Sequence, residues 1–158
     1  MSYKYFKLYT ESYLNLIEKS LIPDTAAVIL IRNNKALILK RGPGAPWMPN
    51  AWNLPGGRID NQESPAEAAV RETFEESGID LPYERFSSLS IDKHKEEGWV
   101  LQTFLAIVDD LQELPEGEES YSERSSMLPN TIHLDKNGKK VSIKENDDFR
   151  WVSIDDSD

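Results

Sequence analysis

The residues best suited to chemistry lie in one stretch, GRIDNQESPAEAAVRETFEESGI, from Gly57 to Ile79. Three of its glutamates stand at i, i+3 and i+4 on one side of a helix, where each pair of like charges costs on the order of a few tenths of a kcal/mol. A solvated acidic face is one interpretation of such a group. The other is a divalent cation, because Mg²⁺ takes oxygen ligands and is usually held by one or two carboxylates together with substrate phosphates.

Seven residues of restricted chemistry stand at fixed spacings here: Gly57, Glu63, Arg71, Glu72, Glu75, Glu76 and Gly78. Chance explains this spacing poorly, so we expect a metal site for a phosphorylated substrate.

The helix that carries these glutamates has clear start and stop signals. Ser64 is an N-cap, Pro65 occupies the first helical position, and Glu67 completes a capping box. Gly78 supplies the residue that turns left-handed just past the end. The sequence therefore predicts a helix from about Pro65 to about Ser77. At about 100° per residue, two opposite faces are expected. The packed face comprises Ala66, Val70, Thr73 and Phe74, and the carboxylate face comprises Glu72, Glu75 and Glu76, with the small Ala68 among them.

The strands that position this helix are predicted from apolar runs and turn signals. Asn33 and Asn34 tolerate positive φ and join two such runs into a hairpin. Asn137-Gly138 is a second hairpin signal, late in the chain. We expect both faces of the strand at 99–108 to be largely buried. The predicted strands are 26–31, 36–40, 86–91, 99–108, 131–135, 139–143 and 149–154.

The chain divides into a short extension and one main domain. Residues 1–22 carry an apolar stripe that predicts an added N-terminal helix, docked either on the core or on a second subunit, which would make a homodimer. Residues 23–158 form the domain. Within it, 109–146 is predicted to be an acidic insertion followed by the late hairpin, and its first part, 109–123, is expected to be loop-like and solvated.

Composition excludes several classes of function. The formal net charge of −10 argues against a nucleic-acid-binding surface, since phosphate backbones are held by clustered Lys and Arg. No apolar run is long enough to span a membrane. The chain has no cysteine, which removes disulfides, thiolate metal sites and cysteine nucleophiles. A cytoplasmic protein with a small-molecule partner is the expectation.

The 57–79 stretch resembles the Nudix box, GX5EX7REUXEEXGU with U an apolar residue, at every position except Thr73. This resemblance to the Nudix hydrolase family (MutT-like) implies an α+β fold, the Nudix α/β/α sandwich, in which a mixed sheet lies between helices. It also implies hydrolysis of a pyrophosphate linkage in a nucleoside diphosphate linked to a further group, X.

The resemblance also implies roles for the residues of the stretch. Mg²⁺, for which Mn²⁺ can substitute, would be held by Glu72, Glu75 and Glu76 together with a backbone carbonyl of Gly56 or Gly57. The same three glutamates form the catalytic set, with Glu72 and Glu76 as the candidates for the base. Members of the family often add a glutamate from outside the box, here Glu96, Glu97 or one in 109–123. Glu63 and Arg71 are expected to pair and to hold the loop against the helix.

Substrate contacts are expected from the segment before the box. This segment, from Gly42 to Pro55, is rich in glycine and proline and carries Trp47 and Trp52, so it is predicted to be a stiff, aromatic-lined loop. The alternative for either tryptophan is that it covers the core. The predicted substrate-binding residues are Arg41, Trp47, Trp52, Asn53, Leu54 and Arg58; Trp99 is a further aromatic that could stack on a base.

The box leaves the substrate open. Three substrate classes are candidates: nucleoside triphosphates, ADP-ribose or another nucleotide sugar, and dinucleoside polyphosphates. Nucleoside triphosphates are slightly favoured, because no sugar-nucleotide signature follows the box. A second hypothesis is a Nudix domain that senses a nucleotide without turning it over. A prenyl diphosphate isomerase is disfavoured, because the chain lacks the cysteine that such enzymes use as an acid.

Overall fold

The computed structural model describes residues 21–155 except residue 118. In this part of the chain, nine strands and two α-helices follow one another, with a short 3₁₀ turn at Tyr83–Arg85. The strands are β1 (Thr25–Arg32), β2 (Lys35–Arg41), β3 (Trp52–Asn53), β4 (Gly56–Arg58), β5 (Ser87–Lys93), β6 (Val100–Ile107), β7 (Thr131–Leu134), β8 (Lys140–Ile143) and β9 (Asn146–Ser153); the helices are α1 (Pro65–Ser77) and α2 (Tyr121–Met127).

A mixed seven-stranded sheet forms the centre of the domain. Its main path runs β3-β2-β1-β6-β5, with β4 added to β1 and β9 added to β2. β1 and β6 are parallel, and the other pairs are antiparallel. The turn between β1 and β2 has positive φ at Asn33 and Asn34, which is the hairpin predicted there. Helix α1 packs on β1, β4 and β6, and α2 packs on β9. This mixed sheet with its two helices fits the predicted α+β class.

The core lies between the sheet and α1. Every second residue of β1 is buried, which places Val28 and Leu30 under the helix face that carries Ala68 and Ala69. Phe149 of β9 is the largest fully buried side chain. Burial of one large apolar side chain contributes about 1.5–3 kcal/mol. These contacts fix α1 on the sheet and, with it, the orientation of the glutamates.

Helix α1 has the predicted bounds, and Ala66 and Thr73 of the predicted packed face do pack, but the predicted positions of Phe74 and Glu76 are wrong. Ser64 and Glu67 form the capping box, and Gly78 is left-handed at φ 78°. However, Phe74 is 52% exposed, whereas Glu76 is only 3% exposed. The helix turns its smallest side chains toward the sheet because these allow the backbone of β4 to approach closely. The buried residues of α1 are Ala68, Ala69, Thr73, Glu76 and Ser77.

Two further expectations are corrected by the structure. The acidic segment 109–123 is not loop throughout, because α2 begins at Tyr121 behind a capping box of Ser120 and Glu123. β6 is largely buried on one face only, since Ile107 at its end is 55% exposed. The late hairpin is present as β7 and β8, which form a separate two-stranded sheet with Gly138 at φ 75° in the turn.

The predicted N-terminal helix lies outside the described residues, so the extension and its second-subunit alternative stay predictions. Among the residues that the structure describes, no helix is long and apolar enough to cross a membrane.

Candidate active site

Two glycines form the floor of the site where β4 meets α1. Gly56 pairs with Ala27 and Gly57 pairs with Ala26 of β1. A Cβ at Gly56 would lie 2.8 Å from the Cα of Ala27, and one at Gly57 would lie 2.6 Å from the carboxyl carbon of Glu72. A side chain at Gly56 would meet the backbone of β1, and one at Gly57 would displace the carboxylate of Glu72, so glycine at the two positions allows this close approach.

Glu76 is the most deeply buried carboxylate of the site. Its Oε2 accepts a hydrogen bond of 3.0 Å from the backbone N–H of Gly56. Burial raises the pKa of Glu76 to about 8, and the nearby carboxylates of Glu72 and Glu145 act in the same direction, against the hydrogen bond from Gly56. A cation that entered the site would find a carboxylate whose charge the protein leaves poorly compensated.

Glu72 lies over Gly57 and is also largely buried. The Nη1 of Arg71 donates to its Oε1 at 2.7 Å. Burial raises the pKa of Glu72, although Arg71 acts in the opposite direction. Glu75 is the most exposed of the three box glutamates, and its Oε2 accepts from Arg71 Nη1 at 3.1 Å. The structure therefore brings Glu72 and Glu76 together and places Glu75 at the rim.

Arg71 holds the loop before the helix. Its Nε and Nη2 donate to the two carboxylate oxygens of Glu63 at 2.8 and 3.0 Å, and Nη2 also donates to the carbonyl of Arg58. These bonds lower the pKa of Glu63 more than burial raises it. A bidentate pair of this kind fixes the direction of both side chains, so the predicted pairing of Glu63 with Arg71 is present.

Glu145, which the sequence did not single out, is a fourth carboxylate of the site. It lies between β8 and β9, where its Oε1 accepts from Arg41 Nη2 at 2.9 Å. Arg41 is itself buried and donates through Nε to the carbonyl of Trp47 at 2.5 Å. The pairing of β2 with β9 is what brings Arg41 beside the start of β9. The sequence signal that could have identified Glu145 is an acidic residue directly before the last core strand.

These groups line one cleft with a volume of about 1610 Å³. Trp47 is 59% exposed in its wall, so it does not cover the core. Trp52 is also exposed but does not line the cleft; the guanidinium of Arg150 lies 5.5 Å from its ring centre instead. Of the predicted substrate-binding residues, those in the cleft are Arg41, Trp47, Asn53, Leu54 and Arg58.

Other predicted residues divide between the cleft and the rest of the surface. Trp99 and Glu97 line the cleft, whereas Glu96 does not. None of the described acidic residues of 109–123 lines it either. Trp99 stacks on His94 with 3.8 Å between ring centres.

Side chains alone do not build a complete metal site. Over the described residues, no three His, Cys, Asp or Glu side chains form a group that could hold an ion by themselves. One physical reason is that Glu75 turns to Arg71 rather than inward. Any cation here would also need oxygen from the backbone, water or substrate, which is the mixed set that Mg²⁺ accepts.

Comparisons with known proteins identify the family and the fold of the chain. The family model described as NUDIX domain matches residues 22–157. The 8-oxo-dGTP diphosphatase of Proteus vulgaris is 35% identical over 66 residues, which are 42% of this chain and 58% of that protein. A MutT Nudix hydrolase from Burkholderia pseudomallei has the same fold, with a TM-score of 0.53 and 24% identity over 85% of this chain and 84% of that one.

A second solved structure with this fold is a bifunctional NMN adenylyltransferase/ADP-ribose pyrophosphatase of Francisella tularensis complexed with AMP and a Mn ion. Its TM-score is 0.53 and its identity 20%, over 95% of this chain and 40% of that one. The chain spans between 10% and 58% of the length of the first curated relatives that it matches. The family model, in contrast, covers nearly all of the chain. The chain therefore belongs to the Nudix family.

Proposed function

We propose that the chain is a metal-dependent hydrolase that cuts a pyrophosphate linkage in a nucleoside diphosphate linked to a further group, X. The observation that carries this proposal is the cluster of buried carboxyl groups around β4. Glu72, Glu76 and Glu145 lie close enough to raise one another's charging cost, and Arg41 and Arg71 balance them only in part. Ionising these groups together is costly without a cation.

The donor set fits Mg²⁺, with Mn²⁺ as a substitute. Glu72 and Glu76 offer carboxylate oxygens close to the glycines of β4, and a Cβ at Gly57 would displace the carboxylate of Glu72. The carbonyls of Gly56 or Gly57 would add backbone oxygen, and Glu75 would join from the rim. When bound, the cation supplies a Lewis acid that neutralises phosphate charge and makes water a better nucleophile. The Mn ion in the complex of the Francisella protein is in keeping with this choice of metal.

The remaining chemistry falls to the residues of the chain. Glu72 and Glu76 are the candidates for the base that takes a proton from the attacking water. Arg71 keeps Glu72 directed into the cleft while it holds the 58–63 loop through Glu63. Arg41 has two of its nitrogens committed to Glu145 and Trp47. It therefore serves mainly to fix the loop that carries Trp47 beside the phosphates.

Nucleoside triphosphates are the substrates that we place first. Trp47 offers an exposed ring in the cleft on which a base could stack, and the 35% identical relative carries the name 8-oxo-dGTP diphosphatase. ADP-ribose or another nucleotide sugar and the dinucleoside polyphosphates are the alternatives, because the cleft is large enough for a group on each side of a pyrophosphate.

The test is release of phosphate or pyrophosphate from a panel of these three classes, with Mg²⁺, with Mn²⁺ and with EDTA. We expect turnover of at least one class with metal and none with EDTA. A nucleotide-sensing domain is the competing function. Tight binding of a panel member without turnover, across both metals and a range of pH, would favour that function over hydrolysis.

A further inference from the structure

In the β7–β8 hairpin, the polar side chains of β7 are more buried than its apolar ones, which a merely solvated insertion does not require. On β7, Thr131 and His133 are half-buried, whereas Ile132 and Leu134 are 70% and 68% exposed. A strand with one packed face normally turns its apolar residues inward. The reversed pattern indicates that Thr131 and His133 face inward for a polar purpose.

His133 belongs to the cleft of the box glutamates although it lies far from them in sequence. Pro129, Asn130, Thr131, Ile132 and His133 all line the cleft into which Glu72 and Glu76 face. Among the described strands, β7 and β8 pair with each other, as a sheet separate from the main one. Side-chain contacts through Glu145 connect this hairpin to the main sheet.

Glu145 fixes the ring of His133 in one orientation. The Nε2 of His133 lies 3.2 Å from Glu145 Oε2 and 3.0 Å from Thr131 Oγ1. The other oxygen of Glu145 accepts from Arg41, so one carboxylate joins the hairpin to β2. With Nε2 engaged, Nδ1 makes no hydrogen bond to any residue within the described part of the chain. When Nε2 carries its proton toward Glu145, Nδ1 accepts a hydrogen bond in the neutral ring and donates one in the protonated ring.

We propose that His133, oriented by Glu145, is a specificity-determining residue whose Nδ1 edge contacts a polar atom of the group X. This inference rests on the proposed function, since it assigns one part of that cleft to X. At about 1610 Å³ the cleft exceeds the roughly 300–1,000 Å³ of an ordinary small-molecule site, so the nucleoside and a polar X can occupy different parts of it. His133 is a contact to substrate, and Glu145 and Thr131 are the residues that position it.

Two substitutions separate this role from a purely structural one. The amide of glutamine reaches the place of Nε2, so His133→Gln can keep the contact to Glu145 while Nδ1 is lost. Asparagine reaches only the place of Nδ1, so His133→Asn loses the contact to Glu145. Leu134→Ser, at an exposed position of the same strand, is the matched control.

The experiment measures KM and kcat of the three variants and the unmodified protein with whichever of ATP, ADP-ribose and diadenosine tetraphosphate is turned over fastest. AMP, which lacks X, serves as a competitive probe. We expect His133→Gln to raise KM about tenfold, a loss of one hydrogen bond of about 1.4 kcal/mol, and to leave the inhibition constant of AMP within about twofold. Leu134→Ser should change neither constant.

Three results would overturn the inference. The first is a His133→Gln variant with an unchanged KM, which leaves only an anchoring role. The second is a His133→Gln variant whose KM for substrate and inhibition constant for AMP rise by the same factor. The third is a Leu134→Ser variant whose KM rises as much as that of His133→Gln. If none of the three nucleotides is turned over, the proposed function fails, and the same comparison is made on their dissociation constants by calorimetry. Equal affinities of His133→Gln and the unmodified protein for all three would then overturn the inference separately.

Discussion

Two regions of the molecule surround arginine side chains with acidic ones, and they differ in how completely the charges are balanced. At the box, Arg71 and Arg41 face Glu63, Glu72, Glu75, Glu76 and Glu145. At the other region, where α2 packs on β9, Arg124 donates to both carboxylate oxygens of Asp148 at 2.6 and 3.2 Å. Lys35 pairs with Glu116 nearby.

The pKa values of Glu72 and Glu76 move in the opposite direction from those of the paired carboxyls of the second region, whereas the pKa of Glu63, which is paired with Arg71, is lowered as theirs are. Burial raises the pKa of Asp148, but the hydrogen bonds from Arg124 and the backbone together outweigh it, so the net shift is downward. The bond from Lys35 lowers the pKa of Glu116. Burial prevails for Glu72 and Glu76, and their pKa values rise. An acidic cluster indicates a cation site where burial outweighs the partners of its carboxylates, as at Glu72 and Glu76, and not simply where carboxylates are many.

The largest expected effect comes from Glu76→Gln, which removes the buried charge of the box region. We expect kcat to fall about 10²–10⁴-fold, because a group central to the chemistry is lost while the amide can still accept from Gly56. Phosphate-release kinetics with Mg²⁺ measure this. Asp148→Asn in the balanced region is the control and should keep kcat within about twofold. Comparable losses in the two variants would remove the distinction between the regions.

Gly57→Ala should cause the second-largest loss of activity. The new Cβ would overlap the carboxylate of Glu72, and a displacement of about 1 Å at a reacting group can cost about 100-fold in rate. Gly44→Ala is the matched control, since nothing lies within 4 Å of a Cβ built there. Kinetics together with circular dichroism check that the fold persists. A Gly57→Ala protein with full activity would mean that Glu72 need not lie over Gly57.

In the balanced region, the expected loss is in stability rather than activity. Arg124→Ala leaves the largely buried Asp148 without its partner and should reduce the free energy of unfolding by about 1–3 kcal/mol. Lys35→Ala breaks a more exposed pair and should cost about 0–1 kcal/mol. Urea unfolding monitored by circular dichroism distinguishes the two. Equal losses would show that burial of the pair does not set its contribution.

A further difference between the regions is expected in the pH dependence of stability without metal. Glu76 has a higher pKa in the folded chain, about 8, than the ordinary 4.5, so unfolding releases its proton and stability falls as pH rises through this interval. Asp148, with a lowered pKa, loses its contribution only as pH falls below about 3.8. In EDTA, the difference between the melting temperatures at pH 5 and pH 8 should therefore be smaller for Glu76→Gln than for the unmodified protein. An equal difference in the two proteins would contradict this.

The sequence predicted local features well and tertiary ones poorly. The bounds of α1 follow from Ser64, Glu67 and Gly78, which act within one turn of the helix ends. Two residues of its packed face, Ala66 and Thr73, were predicted. The burial of Glu76 and the exposure of Phe74 were not, because close packing on Gly56 and Gly57 selects small side chains and draws Glu76 inward.

Residues brought to the cleft by strand pairing were the hardest to predict. Glu145 meets Arg41, 104 positions earlier in the chain, only because β9 pairs with β2. No local pattern contains that pairing. Helix α2 is a different case, since its capping box of Ser120 and Glu123 is a local signal that the sequence contains, although the surrounding segment is acidic enough to resemble a solvated loop.

The most direct test of the difference between the two regions is calorimetric titration of Mg²⁺, and separately Mn²⁺, into the unmodified protein and into the Glu76→Gln and Asp148→Asn variants. We predict saturable binding to the unmodified protein, at least about tenfold weaker binding to Glu76→Gln, and unchanged binding to Asp148→Asn. Binding to Glu76→Gln as tight as to the unmodified protein would contradict the assignment of the cation to the buried carboxylates beside Gly56 and Gly57.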